Sequence, residues 1–260
     1  MSLPHFYLEE QVISQETREC FDLSLTEEDL KHARVMRLKN GEHIAVIDAS
    51  SDYFECCIDS FEKSAITVHI TQRLKAKTRP KIYLAQGLAK GDKMDSIIRH
   101  ATELGITGFI PLLCKRSIVK LDQKKTRNRM QRWRTLAKSA AMQSGQPQIP
   151  KIFEPHSISK LSEFSRLATA QLICWEEADL SKTLPQAIDS ILQNSTTDAT
   201  DVSIVLVVGP EGGLDEEEVT ELLNSHPHSY LISLGPSILR TETAGIIAPA
   251  LTLYELEQRR

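Results

Sequence analysis

The sequence predicts an α/β protein, a parallel sheet domain preceded by a small β-barrel. Three observations lead there. From residue 81 onward, short continuous apolar runs alternate with helical segments, the pattern of strands covered on both faces by crossover helices. Residues 1–72 are dominated instead by short runs rich in β-branched and aromatic residues, split by turn-like stretches. Between the two, RLKAKTRP (73–80) alternates basic residues and ends in proline without apolar periodicity, which reads as a linker. The predicted domains are therefore 1–72 and 81–260.

In chain order, TEEDLKHARVM (26–36) reads as a helix, with Thr26 as N-cap and Asp29 three positions on. HIAVID (43–48), DYFECCID (52–59) and AITVHI (65–70) read as strands separated by SS and SFEKS. In the second domain IYLAQGL (82–88) precedes a helix at about 92–104, and GFIPLLC (108–114) a long basic helix at about 125–144. AQLICW (170–175) precedes a helix at about 182–193, SIVLVVG (203–209) one at about 215–225, and YLISLG (230–235) a terminal helix at about 242–257. NSTTDATD (194–201) is polar enough to be a mobile loop. Ligands of such sheets bind beyond the carboxyl ends of the strands.

Composition narrows the function classes. The 260 residues are 41% hydrophobic and 25% charged with net charge -4, values of a soluble globular protein and not of a disordered one. No apolar run approaches a membrane span. The start, MSLPHFYLEE, lacks a basic n-region and an apolar h-region, so a cytoplasmic location is expected. The five cysteines include no Cys-x-x-Cys pair, and adjacent Cys56 and Cys57 would point to opposite faces of a strand; neither a disulfide framework nor a zinc site is predicted. His226 and His228 flank a proline without acidic or thiol partners at ligand spacing, so no metal is expected. Between Lys115 and Lys138, however, lie ten Lys or Arg residues and one acid, Asp122. A solvated helix face would carry carboxylates at i,i+4. Their lack, with Lys124, Arg127 and Arg132 in the densest part, points to a polyanionic partner such as RNA. Trp133 within this stretch reads as a core residue.

Two glycine loops carry the chemistry. In VVGPEGGLDEEEV (207–219) a buried strand ends at Gly209, Pro210 fixes a turn, and Gly212 and Gly213 permit positive φ or the close approach of a ligand. Asp215 and Glu218 form a capping pair for the next helix, a sufficient structural role. The spacing is neither a P-loop nor G-x-G-x-x-G, and the following acids would repel a pyrophosphate. The loop suits a ligand with little negative charge, read by backbone groups. In LGPSILRTETAGIIAPALTLYE (234–255) a strand again ends in glycine, Gly235, and Thr241 is the expected N-cap of the terminal helix. Arg240 lies where the helix dipole is positive, so it needs an anionic partner: Glu211 or Glu242 in a salt bridge, or an external anion in a catalytic role.

GPEGG after a strand, paired with LG-x-x-ILRTETA before a C-terminal helix, resembles the knotted SPOUT methyltransferases, and among them the RsmE family, which methylates N3 of one uridine in 16S ribosomal RNA. KGDKMDSIIRHATELGITGFIPLLCKRSIVK (90–120), RWRTLAKSAAMQSGQPQIPKI (132–152) and HARVMRLKNG (32–41) resemble further blocks of that family, so the likeness covers nearly the whole chain.

The resemblance implies a C-terminal trefoil knot, S-adenosylmethionine as cofactor, a homodimer, and a PUA-like barrel that helps hold RNA. It implies a cofactor pocket lined by the loop after Trp175, by Gly209, Pro210, Glu211, Gly212 and Gly213, and by Leu234, Gly235, Ile238 and Leu239. Arg34 and Arg37 in the N-terminal motif become candidate phosphate contacts. Arg240 becomes the cation expected beside the acceptor base, and Glu211 a candidate base. The substrate would be 16S ribosomal RNA or the small ribosomal subunit. A ribose 2′-O-methyltransferase and an inactive RNA-binding protein are the rival readings. Pro236, Ser237, Met142 and Gln146 depart from the family pattern, and Pro249 falls inside the terminal helix, where proline costs ~3 kcal/mol unless a kink is useful.

Overall fold

A computed structural model describes residues 3–119, 122–194 and 198–259. Lys120 of the basic stretch and residues 195–197 of the loop expected to be mobile lie outside the described residues. Two compact units emerge, Met1–Lys77 with Ala141–Ile149, and Thr78–Ala140 with Pro150–Arg260.

The first unit is a five-stranded mixed sheet in the order β1-β3-β4-β5-β2. Its strands are β1 (His5–Tyr7), β2 (Phe21–Asp22), β3 (His43–Ile47), β4 (Tyr53–Phe61) and β5 (Ile66–Arg73). Alternation along β4 and β5 sends Phe54, Cys56, Ile58, Ile66 and Val68 into a core with Phe6, Ile44 and Val46. The strand β5 runs through Arg73, and the Leu74 N–H still donates to Tyr53 O, so the ladder continues into the stretch read as linker. The turn between β3 and β4 has a physical anchor. Buried Asp48 accepts the N–H groups of Ile13, Ser14, Ser50 and Asp52 at 2.9–3.2 Å. Helix α1 (Glu27–Val35) starts on the predicted reciprocal cap between Thr26 and Asp29. It ends with Arg37 at φ 58, a left-handed residue at the position that commonly stops a helix.

The second unit is a seven-stranded sheet in the order β12-β10-β11-β6-β7-β8, with β9 also on β7, and every pairing is parallel. Its strands are β6 (Lys81–Gly87), β7 (Gly108–Leu113), β8 (Lys151–Ile152), β9 (His156–Ser157), β10 (Ala170–Cys174), β11 (Ser203–Val208) and β12 (Ser229–Ile232). The four longest are the predicted apolar runs, and apart from their ends, Lys81 and Leu113, most of their side chains are excluded from water on both faces. Helices α2 (Lys93–Leu104), α4 (Ile158–Ser165), α5 (Leu184–Asn194), α6 (Glu216–Ser225) and α7 (Thr241–Glu257) belong to this unit. Helix α6 begins on the predicted Asp215–Glu218 capping box. None of the described helices is long and apolar enough to cross a membrane.

The long basic helix α3 (Gln123–Ser144) has a buried stripe, Met130, Trp133, Ala137, Ala140 and Ala141, at helical spacing. Trp133 is 1% exposed, as a core residue should be, and its indole N–H donates to Asp95 Oδ1 at 3.2 Å. Asp95 Oδ2 accepts Arg132 Nε at 2.7 Å and pairs with its Nη2 at 2.6 Å. Asp95→Ala therefore leaves a buried indole donor unpaired, and a loss of ~1–3 kcal/mol in chemical denaturation is expected, against a smaller loss for Arg132→Ala, whose side chain is mostly exposed.

Helix α7 is continuous through Pro249. It buries Ala244, Gly245, Ala248, Pro249, Thr252, Leu253 and Leu256, and leaves Ile247, Leu251 and Tyr254 exposed on one stripe. Gly245 allows close packing: a Cβ there would press on Gln86 Oε1 and come within 3.0 Å of Ile97 Cγ2.

Candidate active site

A cavity of about 410 Å³ opens beyond the carboxyl ends of β10, β11 and β12, where ligands of parallel sheets bind. Its wall comprises Cys174 to Glu176 after β10, Val208 to Glu211 and Gly213 after β11, and the run from Ser233 to Thr241 after β12, with Lys93, Leu180 and Ala244. The two glycine loops thus converge. Trp175, Gly209, Pro210, Glu211, Gly213, Leu234, Gly235, Ile238 and Leu239 all lie in this wall, and so does Arg240. Gly212 does not: it packs against Arg116, where a Cβ would lie 3.1 Å from Arg116 Cβ, and its carbonyl accepts Arg116 Nη1 at 3.4 Å.

Local hydrogen bonds explain the shape of the first loop. The Gly213 N–H closes a turn on Pro210 O at 3.0 Å, and Gly213 takes φ 71, which a side chain would strain. Behind the loop, buried Gln86 at the end of β6 donates to Gly209 O at 3.2 Å and to Thr241 Oγ1 at 2.9 Å, while the Thr241 hydroxyl donates to Gly209 O at 2.7 Å. This corrects the reading of Thr241 as N-cap. Arg240 occupies the cap position without a side-chain cap bond, and Thr241 is the first helical residue, its hydroxyl drawn into the triangle with Gln86 and Gly209.

The second loop keeps its peptide groups open. Among the described residues, the main-chain groups from Leu234 to Leu239 engage only in the local exchange of Gly235 N–H and O with Ser233 Oγ. Trp175 Nε1 is buried in the wall with no acceptor among the described residues. Ile238 and Leu180 line the cavity yet stand 85% and 61% exposed, apolar surface that a bound molecule would cover. The cavity therefore offers unpaired backbone groups and apolar rims with no cluster of cations, which fits a large ligand without phosphates. Burial pushes the Cys174 thiol up to about 12, so it is a neutral wall residue and not a nucleophile.

The charged groups at the mouth are arranged differently from the sequence expectation. The Lys93 ammonium lies 3.1 Å from both Glu211 Oε1 and Glu242 Oε2, and the Lys90 N–H donates to Glu211 Oε1 at 3.0 Å. The acids expected to pair with Arg240 are thus taken by Lys93. Arg240 makes no ion pair or hydrogen bond of its own side chain among the described residues. Burial alone would raise the Glu211 carboxyl, but the Lys90 N–H and Lys93 outweigh it and hold it below its usual range. So engaged, Glu211 is a poor proton acceptor.

The remaining sequence candidates lie outside the cavity wall. Lys124 and Arg127 are exposed on α3, without side-chain ion partners among the described residues. Arg132 is held by Asp95, Arg134 reaches Glu154 at 3.5 Å, and Lys115 pairs with Asp215 and Glu217, so the missing i,i+4 acids are supplied in part by other elements. In the first unit exposed Arg34 donates to Lys63 O, and Arg37 is exposed. Cys20, Asp59 and His69 bring ligand atoms within 4.8 Å of one another on the surface, a cluster that residues so distant in sequence did not signal. Lys93, Gln86 and Glu176 carry no signal in the sequence reading, and Thr241 only that of a cap. Lys93 stands in the KGDKM block, but only its tertiary pairing with both loops reveals its place.

Comparison with known proteins agrees over most of the chain. A sequence model described as an RNA methyltransferase domain matches residues 76–253, and one described as an RNA methyltransferase PUA domain matches residues 25–71. Ribosomal RNA small subunit methyltransferase E of Bacillus subtilis is 34% identical over 255 residues, covering 96% of each chain. The protein of the same name from Mycobacterium tuberculosis is 27% identical over 227 residues, 85% of this chain and 82% of that one. The crystal structure of a ribosomal RNA small subunit methyltransferase E from Neisseria gonorrhoeae, bound to S-adenosyl methionine, superposes with a TM-score of 0.74 at 25% identity over 96% of each chain.

Proposed function

Because the chain belongs to the family of ribosomal RNA small subunit methyltransferase E, we propose that it methylates N3 of one uridine in 16S ribosomal RNA, using S-adenosylmethionine. The observation that carries this reading is the convergence of both glycine loops and Arg240 on one cavity with open backbone groups. Trp175, Gly209, Pro210, Glu211, Gly213, Leu234, Gly235, Ile238 and Leu239 would hold the cofactor, which supplies an already activated methyl group on a sulfonium.

The work left to the protein is orientation and charge control. N3 of uracil is an imide nitrogen that must lose its proton, and the resulting charge spreads over the flanking oxygens. Arg240, unpaired at the cavity mouth, is the group that would meet that charge. With Glu211 tied to Lys93 and Lys90, solvent is the favoured proton acceptor. The first domain, 1–72, would hold RNA through Arg34 and Arg37. The domain from 81 would do so through Lys124, Arg127 and Arg132, of which Arg132 must exchange Asp95 for phosphate. The exposed stripe of Ile247, Leu251 and Tyr254 suits a homodimer interface, and the return of the chain from edge strand β12 to the Gln86–Gly209 triangle fits the threaded tail implied by the resemblance. A cytoplasmic location goes with this substrate.

Incubation with unmethylated small ribosomal subunits and labelled cofactor, followed by mass spectrometry of digested RNA, tests the reading. One 3-methyluridine is expected. A 2′-O-methyl product would transfer the protein to the ribose methyltransferases, and cofactor binding without any product would favour an RNA-binding role.

A further inference from the structure

Lys93 sits at the entry to α2 and reaches two acids that belong to different loops, Glu211 of the first and Glu242 in the opening turn of α7. Glu242 is two residues beyond Arg240. The carboxyl of Glu242 is held low by its own backbone N–H, by Lys93 and by the charge of Arg240. Arg240 is therefore near enough for Glu242 to feel it, yet the ammonium occupies the acid. Arg240 is exposed and Lys93 is about one-third exposed, so the pairing is not forced by burial. It is a choice between two cations for the same carboxylates. A guanidinium forms stronger, two-pronged pairs with carboxylates than an ammonium does. Without Lys93, Glu242 is left to Arg240, whose charge already reaches it.

We propose that Lys93 is a positioning residue for Arg240: by engaging Glu211 and Glu242 together it leaves the guanidinium free to meet the acceptor base. This rests on the reading of Arg240 given above. The ammonium also ties the two cofactor loops to α2, so a merely structural role has to be separated from the electrostatic one. The double variant does this. If Lys93 acts by occupying the acids, neutralising Glu242 should relieve the trap that its own loss creates. If Lys93 acts as a strut, removing a second partner should make matters worse.

The experiment measures kcat and KM on unmethylated small ribosomal subunits, with cofactor affinity by calorimetry, for wild type, K93M, K93R, K93M/E242Q and R240A. K93M is expected to lower kcat by ~10-fold or more, with cofactor affinity changed by less than about 3-fold. K93R should keep most of the rate, because it still occupies both acids. K93M/E242Q should recover a clear part of the loss. Wild-type kcat in K93M, or no recovery in K93M/E242Q with cofactor binding intact, would overturn the proposal. Full activity in R240A would instead remove the reading beneath it, whatever Lys93 does. Should K93M fail to fold, K93Q and K93Q/E242Q carry the same comparison.

Discussion

Arg240→Ala is expected to reduce the methylation rate constant by ~10²–10³-fold while cofactor affinity stays within a few-fold of wild type. The argument is electrostatic. Arg240 occupies the N-cap position of α7, where the helix dipole already disfavours a cation, and among the described residues it makes no ion pair to offset that cost. Its apparent partners, Glu211 and Glu242, are engaged by Lys93. A cation kept without a partner at the mouth of a binding cavity is available to negative charge that appears only during reaction. Deprotonated uracil carries such charge, and a fixed guanidinium stabilises it more in the transition state than in the bound substrate. Because Arg240 is exposed, its loss should leave the melting temperature nearly unchanged. Single-turnover methylation of small subunits, with calorimetry of the cofactor alongside, checks both halves. A rate within about 3-fold of wild type would remove Arg240 from the chemistry.

Gly87→Ala should abolish measurable cofactor binding although Gly87 does not line the cavity. A Cβ at this last residue of β6 would come within 2.5 Å of Pro210 Cδ and 2.8 Å of the Gly209 carbonyl carbon. These are backbone and ring atoms, not the free end of a flexible side chain, so the first glycine loop must move. That loop is also fixed from behind by Gln86 and Thr241 through Gly209 O. Overpacking of this kind costs ~1–3 kcal/mol of stability. The larger effect falls on affinity, because the displaced segment forms one wall of the site. Calorimetric titration and a thermal melt distinguish the outcomes: a folded protein that still binds with native affinity would show that the loop is not held where the packing implies.

What the sequence made legible was local. The capping pairs Thr26–Asp29 and Asp215–Glu218 formed as read, because both partners lie within one turn. The apolar runs became β6, β7, β10 and β11 because burial on both faces demands unbroken apolar chain. The strands β1, β2, β8 and β9, two or three residues each, were missed because they are too short for any period to register. Helix α4 was missed too, though Ser157 caps it. At the site, the loops were found from their glycines, but the fate of their charged residues was not. Thr241 has the chemistry of a cap and was read as one, yet Gly209 O and Gln86 claim its hydroxyl across the fold. The loop acids are the partners that the sequence offers Arg240, while the cation that holds them, Lys93, lies far back in the chain. Tertiary pairing overrode local preference in both cases.

The triangle of Gln86, Gly209 and Thr241 also sets a timetable. Gln86 and Thr241 are 155 positions apart. At a synthesis rate of about 5–20 residues per second they emerge roughly 8–30 s apart. In that interval β6, β7, β10 and β11 can pair, but the pocket has one wall missing and nothing pins Gly209 from the side of α7. Competence for methyl transfer is thus a late event in the life of each molecule, acquired after the sheet is already assembled. Nascent chains stalled short of Thr241 should therefore show sheet structure without cofactor affinity, which the released full chain gains.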